Sequence, residues 1–272
     1  MTFFDTARTY GGGQSESYLA AGLGRFRETV VIATKFGPVP RVPDSSSGRP
    51  VDVRTTLEQS LAELQADYVD LYQMHFPDPE TPIADTLGVL QDLVAEGKIR
   101  RIGCCNFDAA ALSLALQTSM DGNLVSFVSS QIEYSLVNRA PESDGAVDVC
   151  DSMGISLLPY YPLGSGLLTG KTRRGKTPEG RLRTDRYSRF LTEVNFDLVD
   201  RLDAFATSRG VTMTQVALGW LLAQRTVPAV TPGASTATHI EDNAAAAEWH
   251  PSVDDLAVLA ATMDPGGVNP GQ

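Results

Sequence analysis

Short β-rich runs alternate with amphipathic helical patterns along this chain, and that alternation restricts the fold more than any other feature. The β-rich runs are Phe3–Asp5, Val30–Lys35, Tyr68–Met74, Arg101–Cys105, Phe127–Gln131, Ile155–Tyr160 and Ala229–Pro232. Between them Val53, Leu57, Leu61 and Leu64 recur at helical spacing, as do Ile83, Leu87, Leu90 and Val94, and later Leu198, Leu202 and Phe205. Stripes of this kind are core faces. A strand–helix pair repeating at roughly 25–40 residues is a βα unit, which predicts a parallel barrel or a doubly wound sheet. No Pro-, Gly- or Ser-rich linker divides the chain, so one domain is expected over residues 1–272.

A (β/α)8 barrel takes about 250 residues, and 272 are available. Seven strands are legible, and Met1-Thr-Phe-Phe-Asp opens inside one of them. The expectation is therefore a TIM-type (β/α)8 barrel whose first βα unit is missing. Either the start lies upstream, or the barrel is trimmed and exposes two strand edges.

Composition narrows the partners. A chain with 42% hydrophobic and 20% charged residues buries an ordinary core, which excludes disorder and collagen. A formal charge of -11 repels phosphate backbones and anionic membranes, so neither nucleic acid nor membrane is an expected partner. One basic cluster runs from Lys171 to Arg189 with Arg173, Arg174, Lys176, Arg181, Arg183 and Arg186. It reads as a solvated loop or as a clamp for a small phosphorylated ligand. The three cysteines, Cys104, Cys105 and Cys150, lack the spacing of a zinc site or a disulfide framework, so no metal and a cytoplasmic location are expected. No apolar run reaches the roughly 18 residues of a membrane span, and Asp5 interrupts the N-terminus before a signal-peptide core. Coiled-coil heptads are absent, and oligomeric state is not legible.

In a (β/α) barrel the reactive groups sit at the C-terminal ends of the strands. The first strand ends at Asp5 with Tyr10 beyond it, the second at Lys35 and the third at His75. Singly, these read as a strand cap, a surface tyrosine, a solvated lysine and a core histidine; together they make a proton-transfer set. A lysine ammonium favours a phenolate and is expected to lower the Tyr10 pKa, Asp5 to hold the lysine, and His75 to orient a carbonyl oxygen. That set suits carbonyl reduction or its reverse. Neither a nucleophile elbow, a Walker loop nor a His-Glu-x-x-His motif is present. Gly164-Ser165-Gly166 with Gly170 imitates a dinucleotide fingerprint but has the wrong spacing, so a phosphate-binding loop is the better reading.

These residues lie in stretches that resemble the aldo-keto reductase superfamily from Thr2 to about Ala247. The stretches are FDTARTYGGGQSE (4–16), VVIATKFG (30–37), DYVDLYQMHFPD (67–78), GKIRRIGCCNF (97–107), SQIEYSLVNR (130–139), LPYYPLGSGLLTGK (158–171) and TPGASTATHIEDN (231–243). The resemblance implies NAD(P)H-dependent reduction of a small aldehyde or ketone, with NADP(H) as cofactor and NAD(H) as the alternative. It carries the catalytic tetrad onto Asp5, Tyr10, Lys35 and His75, with Tyr10 as general acid. Asn106 and Gln131 correspond to residues that grip the carboxamide, and Tyr160 to the aromatic that stacks on the nicotinamide. Leu163, Gly164 and Gly166 fall in the pyrophosphate loop, and Ser235, His239, Asp242 and Asn243 surround the adenosine end.

This chain departs from the family's pattern at Cys105 and Tyr161, where serines are common, and at Phe76, where a tryptophan is common. Gly233 stands where some members use a lysine on the 2′-phosphate and His239 replaces the arginine or glutamine found near it, so the Lys171–Arg189 loop, through Arg173 and Arg174, is expected to supply cations. Phe36, Phe76 and Tyr134 could wall an apolar substrate site bordered by loop 38–50. A cofactor-binding regulatory module of the same fold, or an inactive truncated barrel, are the alternatives to an active reductase.

Overall fold

The computed structural model describes residues 1–40, 42, 45–178 and 180–263. Its strands are β1 (Phe3–Asp5), β2 (Val31–Phe36), β3 (Val69–Met74), β4 (Ile99–Cys105), β5 (Phe127–Glu133) and β6 (Ser156–Tyr160). They form one sheet in sequence order, and β1 through β5 pair in parallel. A doubly wound sheet reverses its strand order at a switch point. A sheet that lays each strand beside the previous one does not, and this order selects the TIM-type (β/α) class. Six of the seven expected strands are present. The seventh, Ala229–Pro232, is reduced to a single bridge between Thr231 and Tyr160. Pro228 and Pro232 bracket it, and a proline has no N–H to extend a ladder.

Helices α1 (Gln14–Leu23), α2 (Pro50–Leu64), α3 (Ile83–Ala95) and α4 (Ala109–Gly122) follow β1 to β4 in turn. α5 (Ala140–Ser143) and α6 (Ala146–Met153) precede β6; α7 (Glu193–Arg209), α8 (Met213–Leu222), α9 (Ala237–Ala246) and α10 (Val253–Met263) follow it. The chain divides into two compact units, Met1–Ile132 with Asp144–Leu157, and Glu133–Ser143 with Leu158 onward.

In the first unit, the α2 stripe Val53, Leu57, Leu61 and Leu64 is wholly buried. On α3 the buried stripe is Thr86, Leu87, Val89, Leu90 and Leu93, while the expected Ile83 and Val94 are only half-buried. Each buried leucine contributes about 1.5–3 kcal/mol. Tyr72 on β3 donates its hydroxyl to the Val53 carbonyl at 3.1 Å, which identifies the side of the sheet that faces α2. Strand alternation then sends Lys35, Gln73, Gly103 and Ser129, which pair in register, to the opposite side.

In the second unit, Leu198, Leu202 and Phe205 of α7 are buried as expected. Gly164 has φ +53°, and a Cβ there would lie 2.8 Å from Val137 Cγ2, so glycine is required for both reasons.

Asp70 fastens the N-terminal ends of three strands of the first unit. It accepts the Ile32 N–H at 2.9 Å and pairs with Arg27 and Arg100, each at 3.0 Å. The two guanidiniums lie over the Tyr68 ring at 4.4 and 4.1 Å, an arrangement of like charges that the carboxylate makes tolerable. Asp70 itself is buried, so its loss strands Arg27 without its counter-charge. Asp70→Ala should lower unfolding free energy by about 3 kcal/mol, measured by chemical denaturation; a change below about 0.5 kcal/mol would refute that role.

Candidate active site

On the side of the sheet away from α2, the strand ends carry a single connected polar set. Asp5 ends β1, Lys35 lies one residue from the end of β2, His75 follows β3 and Cys105 ends β4. Lys35 is 1% exposed, and burying an ammonium is costly unless it is paired. Its Nζ donates to Asp5 Oδ2 at 2.6 Å and to the Thr6 carbonyl at 2.9 Å. The other carboxylate oxygen, Asp5 Oδ1, accepts from Gln131 Nε2 at 3.0 Å and from Gln73 Nε2 at 3.2 Å.

Tyr10 opens the short turn Tyr10–Gly13 after β1, with its ring 5.1 Å from Lys35 Nζ and 6.0 Å from the His75 ring, edge-on. Asn106, in a left-handed conformation at φ +60°, donates Nδ2 to the His75 carbonyl at 2.8 Å and to Cys105 Sγ at 3.2 Å. The Cys105 thiol in turn donates to Gln131 Oε1 at 3.4 Å. The structure thus brings together Asp5, Tyr10, Lys35, His75, Asn106 and Gln131, and adds Gln73 and Cys105.

The electrostatics follow from one buried cation. Burial opposes the Lys35 ammonium, but Asp5 outweighs it and holds the lysine above its ordinary range. Burial, with the Lys35 charge second, depresses the His75 pKa to about 3, so the imidazole is neutral at physiological pH. Burial pushes the Cys105 thiol up to about 12 against the pull of Lys35. For Tyr10 the expected lowering is corrected. Burial raises the phenol above its usual value, Lys35 pulls it back, and Asp5 adds to the rise. The side chain as a whole is 42% exposed, so the desolvation concerns the phenolic end, which faces Lys35.

The expected apolar wall is also corrected in part. Phe36 is buried against Tyr72 at 4.6 Å, on the side of the sheet opposite Lys35, and Tyr134 is buried with its hydroxyl on Glu142 and its ring edge on Trp220. Both are core. Phe76 is half-buried and stacks on His75 at 5.4 Å, so it alone of the three adjoins the polar set. In loop 38–50, residues 41, 43 and 44 lie outside the described residues; Gly37 N–H is tied to Ser46 Oγ at 2.9 Å and Gly48 N–H to Asp78 at 2.7 Å.

The second unit contains a cleft of about 340 Å³. Leu163, Gly166, Ser235, His239, Asp242 and Asn243 line it as the sequence implied, together with Tyr161, Ser165, Thr214 and Gly233. Gly164 is buried beneath the turn, and Tyr160 packs edge-on against Tyr161 at 5.1 Å. The turn Gly164–Thr169 begins with three consecutive positive φ angles, at Gly164, Ser165 and Gly166. Ser165 Oγ is buried without a hydrogen-bond partner among the described residues.

Two cations of the basic cluster, Lys171 and Arg181, line this cleft. Arg173 and Arg174 are instead engaged by α7, the first with Asp203 at 2.7 Å and the second with Glu193, Asp197 and, at 3.9 Å, Asp200. Arg189 pairs with Glu133 at 2.6 Å. An orphaned hydroxyl, a turn of successive left-handed residues and two cations suit the phosphates of a nucleotide cofactor.

A model of the Aldo/keto reductase family matches residues 1–261. The chain is 32% identical over 278 residues to a probable aldo-keto reductase 1 of Glycine max, covering 100% of this chain and 78% of the relative. It is 32% identical over 288 residues to an aldo-keto reductase of Schizosaccharomyces pombe (strain 972 / ATCC 24843) designated NADP(+), covering 97% and 82%. Among solved structures, a thermostable aldo-keto reductase crystallised with the inhibitor epalrestat superposes with a TM-score of 0.76 at 31% identity, covering 95% of this chain and 81% of that one. The chain belongs to the aldo/keto reductase family, NAD(P)-dependent oxidoreductases that interconvert carbonyl and alcohol groups on a TIM-type (β/α) fold.

Proposed function

We propose that Asp5, Tyr10, Lys35 and His75 carry out reduction of a small aldehyde or ketone, with Tyr10 as the general acid. The observation that supports this reading is the buried Lys35–Asp5 pair set against Tyr10, with a neutral histidine 6.0 Å from its ring. A nicotinamide cofactor, when bound, supplies the hydride. Neutral His75 has one ring N–H with which to hold a carbonyl oxygen, and an imidazole that does not titrate near pH 7 does so without competing for the proton. Tyr10 gives its proton to that oxygen as negative charge develops, and the Lys35 ammonium stabilises the phenolate left behind. Phe76, stacked on His75, supplies an apolar wall suited to an aliphatic or aromatic carbonyl. Asn106 and Gln131 are the carboxamide-side contacts, and Tyr160 is the stacking aromatic.

The cleft of the second unit supports NADPH over NADH. Leu163, Gly164 and Gly166 form its phosphate turn; Ser235, His239, Asp242 and Asn243 surround the adenosine end. Lys171 and Arg181 provide the charge for the 2′-phosphate in place of Arg173 and Arg174. Arg181 Nη1 would stand 3.9 Å from a Cβ at Gly233, the position where this chain lacks a basic residue. We read residues 1–272 as a single aldo-keto reductase domain. Three buried free cysteines suit a reducing compartment, which favours the cytoplasm. Among the described residues no helix is long and apolar enough to cross a membrane. The reductase designations of the relatives favour an enzyme over a regulatory module of the same fold.

Tyr10→Phe should reduce kcat for carbonyl reduction by about 10²–10⁴-fold while fluorescence titration shows cofactor binding retained; retained turnover would remove Tyr10 from the acid role. Lys171→Ala and Arg181→Ala should each weaken NADPH binding by about tenfold at low salt and leave NADH binding nearly unchanged, whereas equal effects on both cofactors would place the two cations away from the 2′-phosphate.

His75 also makes stability depend on pH in a defined direction. Unfolded, it binds a proton near 6.5; folded, only near 3. The unfolded state therefore holds more protons across that interval, and stability falls as pH drops through it. Relative to His75→Gln, the native protein should lose about 2 kcal/mol between pH 7 and pH 5, measured by urea unfolding. Parallel pH curves for the two proteins would show that His75 titrates normally in the folded state.

A further inference from the structure

The Asp5 carboxylate is held from two sides, and only one of them is the lysine. Its Oδ2 takes the Lys35 proton donor, while its Oδ1 takes two amide N–H groups, from Gln131 on β5 and from Gln73 on β3. Gln73 is 0% exposed. In register it lies between Lys35 on β2 and Gly103 on β4, so its backbone is fixed by pairing on both sides. A Cβ at Gly103 would stand 3.3 Å from Gln73 Cγ and 2.4 Å from Ser129 Oγ, so the glycine leaves the space in which the Gln73 side chain runs towards Asp5. The cost of this arrangement is visible: Gln73 Oε1 is buried without a hydrogen-bond partner among the described residues. A buried amide that satisfies its donor and forgoes its acceptor is held there by the carboxylate, because an N–H to a charged oxygen is about twice as strong as a neutral hydrogen bond.

Resting on the reading of Tyr10 as acid and of Lys35–Asp5 as its electrostatic partner, we propose that Gln73 is a positioning residue for the reaction. It fixes the rotation of the Asp5 carboxylate and, through it, the location of the Lys35 ammonium against Tyr10. Gln131 alone leaves Oδ1 with a single tether, and that tether is shared with the Cys105 thiol at its other end. The reaction then depends on a side chain that touches neither substrate nor reacting atoms, because an ammonium displaced by a fraction of an ångström stabilises the phenolate less.

Gln73 contacts Asp5 on β1 and lies in register with Lys35 on β2, and the titratable groups of the same polar set are Cys105 on β4, Tyr10 after β1 and His75 after β3. Two substitutions separate positioning from packing. Gln73→Met keeps the volume and removes the donor; kcat should fall about ten- to a hundredfold while the KM for the carbonyl and the Kd for NADPH stay within twofold. Gln73→Glu keeps the shape and makes the donor titratable. Protonated, its O–H replaces the amide N–H on Asp5 Oδ1; ionised, it faces Asp5 as a like charge. Burial and that like charge raise its titration, and the Lys35 ammonium opposes them. The Gln73→Glu enzyme should therefore approach native kcat at acid pH and lose it as pH rises, through a limb absent from the native profile.

Native kcat and an unaltered pH profile in both variants would overturn the proposal, as would a kcat loss in Gln73→Glu that is the same at every pH. Tyr10→Phe measured in parallel separates the two readings: an inactive Tyr10→Phe with normal Gln73 variants overturns the positioning role alone, and an active Tyr10→Phe overturns the acid assignment beneath it.

Discussion

A lysine ammonium buried to 1% exposure is costly unless it is paired, and the polar side of the sheet is organised around keeping it charged. Removing an ammonium from water costs several kcal/mol, which one carboxylate recovers only when its own remaining lone pairs are satisfied. Here Asp5 and the Thr6 carbonyl accept from Lys35, and two glutamine amides complete the carboxylate. Four strands, β1, β2, β3 and β5, meet this requirement, which is possible because parallel strands in sequence order present the same side at each step. The βα repeat is thus what allows residues as far apart as Gln73 and Gln131 to donate to one oxygen of Asp5.

Burial sets the protonation of the neighbouring groups, and the one fixed positive charge modulates it. It helps burial keep His75 neutral, and it opposes burial at Cys105 and Tyr10 without overcoming it. The thiol accordingly behaves as a weak hydrogen-bond partner linking Asn106 to Gln131 rather than as a nucleophile. In the acid role proposed for it, Tyr10 would keep its proton until charge on a substrate oxygen drew it away, and only then would the ammonium have a phenolate to stabilise. A phenol already ionised by the lysine would have had no proton to give, so its raised pKa is compatible with the acid role.

How much of this was legible in the sequence depended on what strand alternation could settle. Asp5, Lys35 and His75 were found because reactive groups gather at strand ends, and those ends were readable from the β-rich runs. Phe36 could have been excluded by the same rule, since adjacent residues on a strand face opposite sides and Lys35 had already claimed the polar one. Gln73 carried the matching signal in reverse, a polar residue two positions before His75 on the strand side that Lys35 had marked as polar. The sign of the Tyr10 shift was out of reach, because the depth of a phenol is a property of packing. The strand at Ala229–Pro232 failed on a legible cause, the two prolines that bracket it.

The basic cluster shows how charge patterning decides which of several cations can act on a ligand. Glu193, Asp197, Asp200 and Asp203 recur at three- and four-residue spacing along α7, an acidic stripe visible in the sequence. That stripe engages Arg173 and Arg174, as Glu133 engages Arg189. In a chain of net charge -11, many positive side chains of the described residues pair with a neighbouring carboxylate in this way. A positive potential for an anionic ligand therefore survives only where the cleft wall carries cations beyond the reach of the stripe. Lys171 and Arg181 line that wall, whereas Arg173 and Arg174 are held by the stripe on α7 and Arg189 by Glu133.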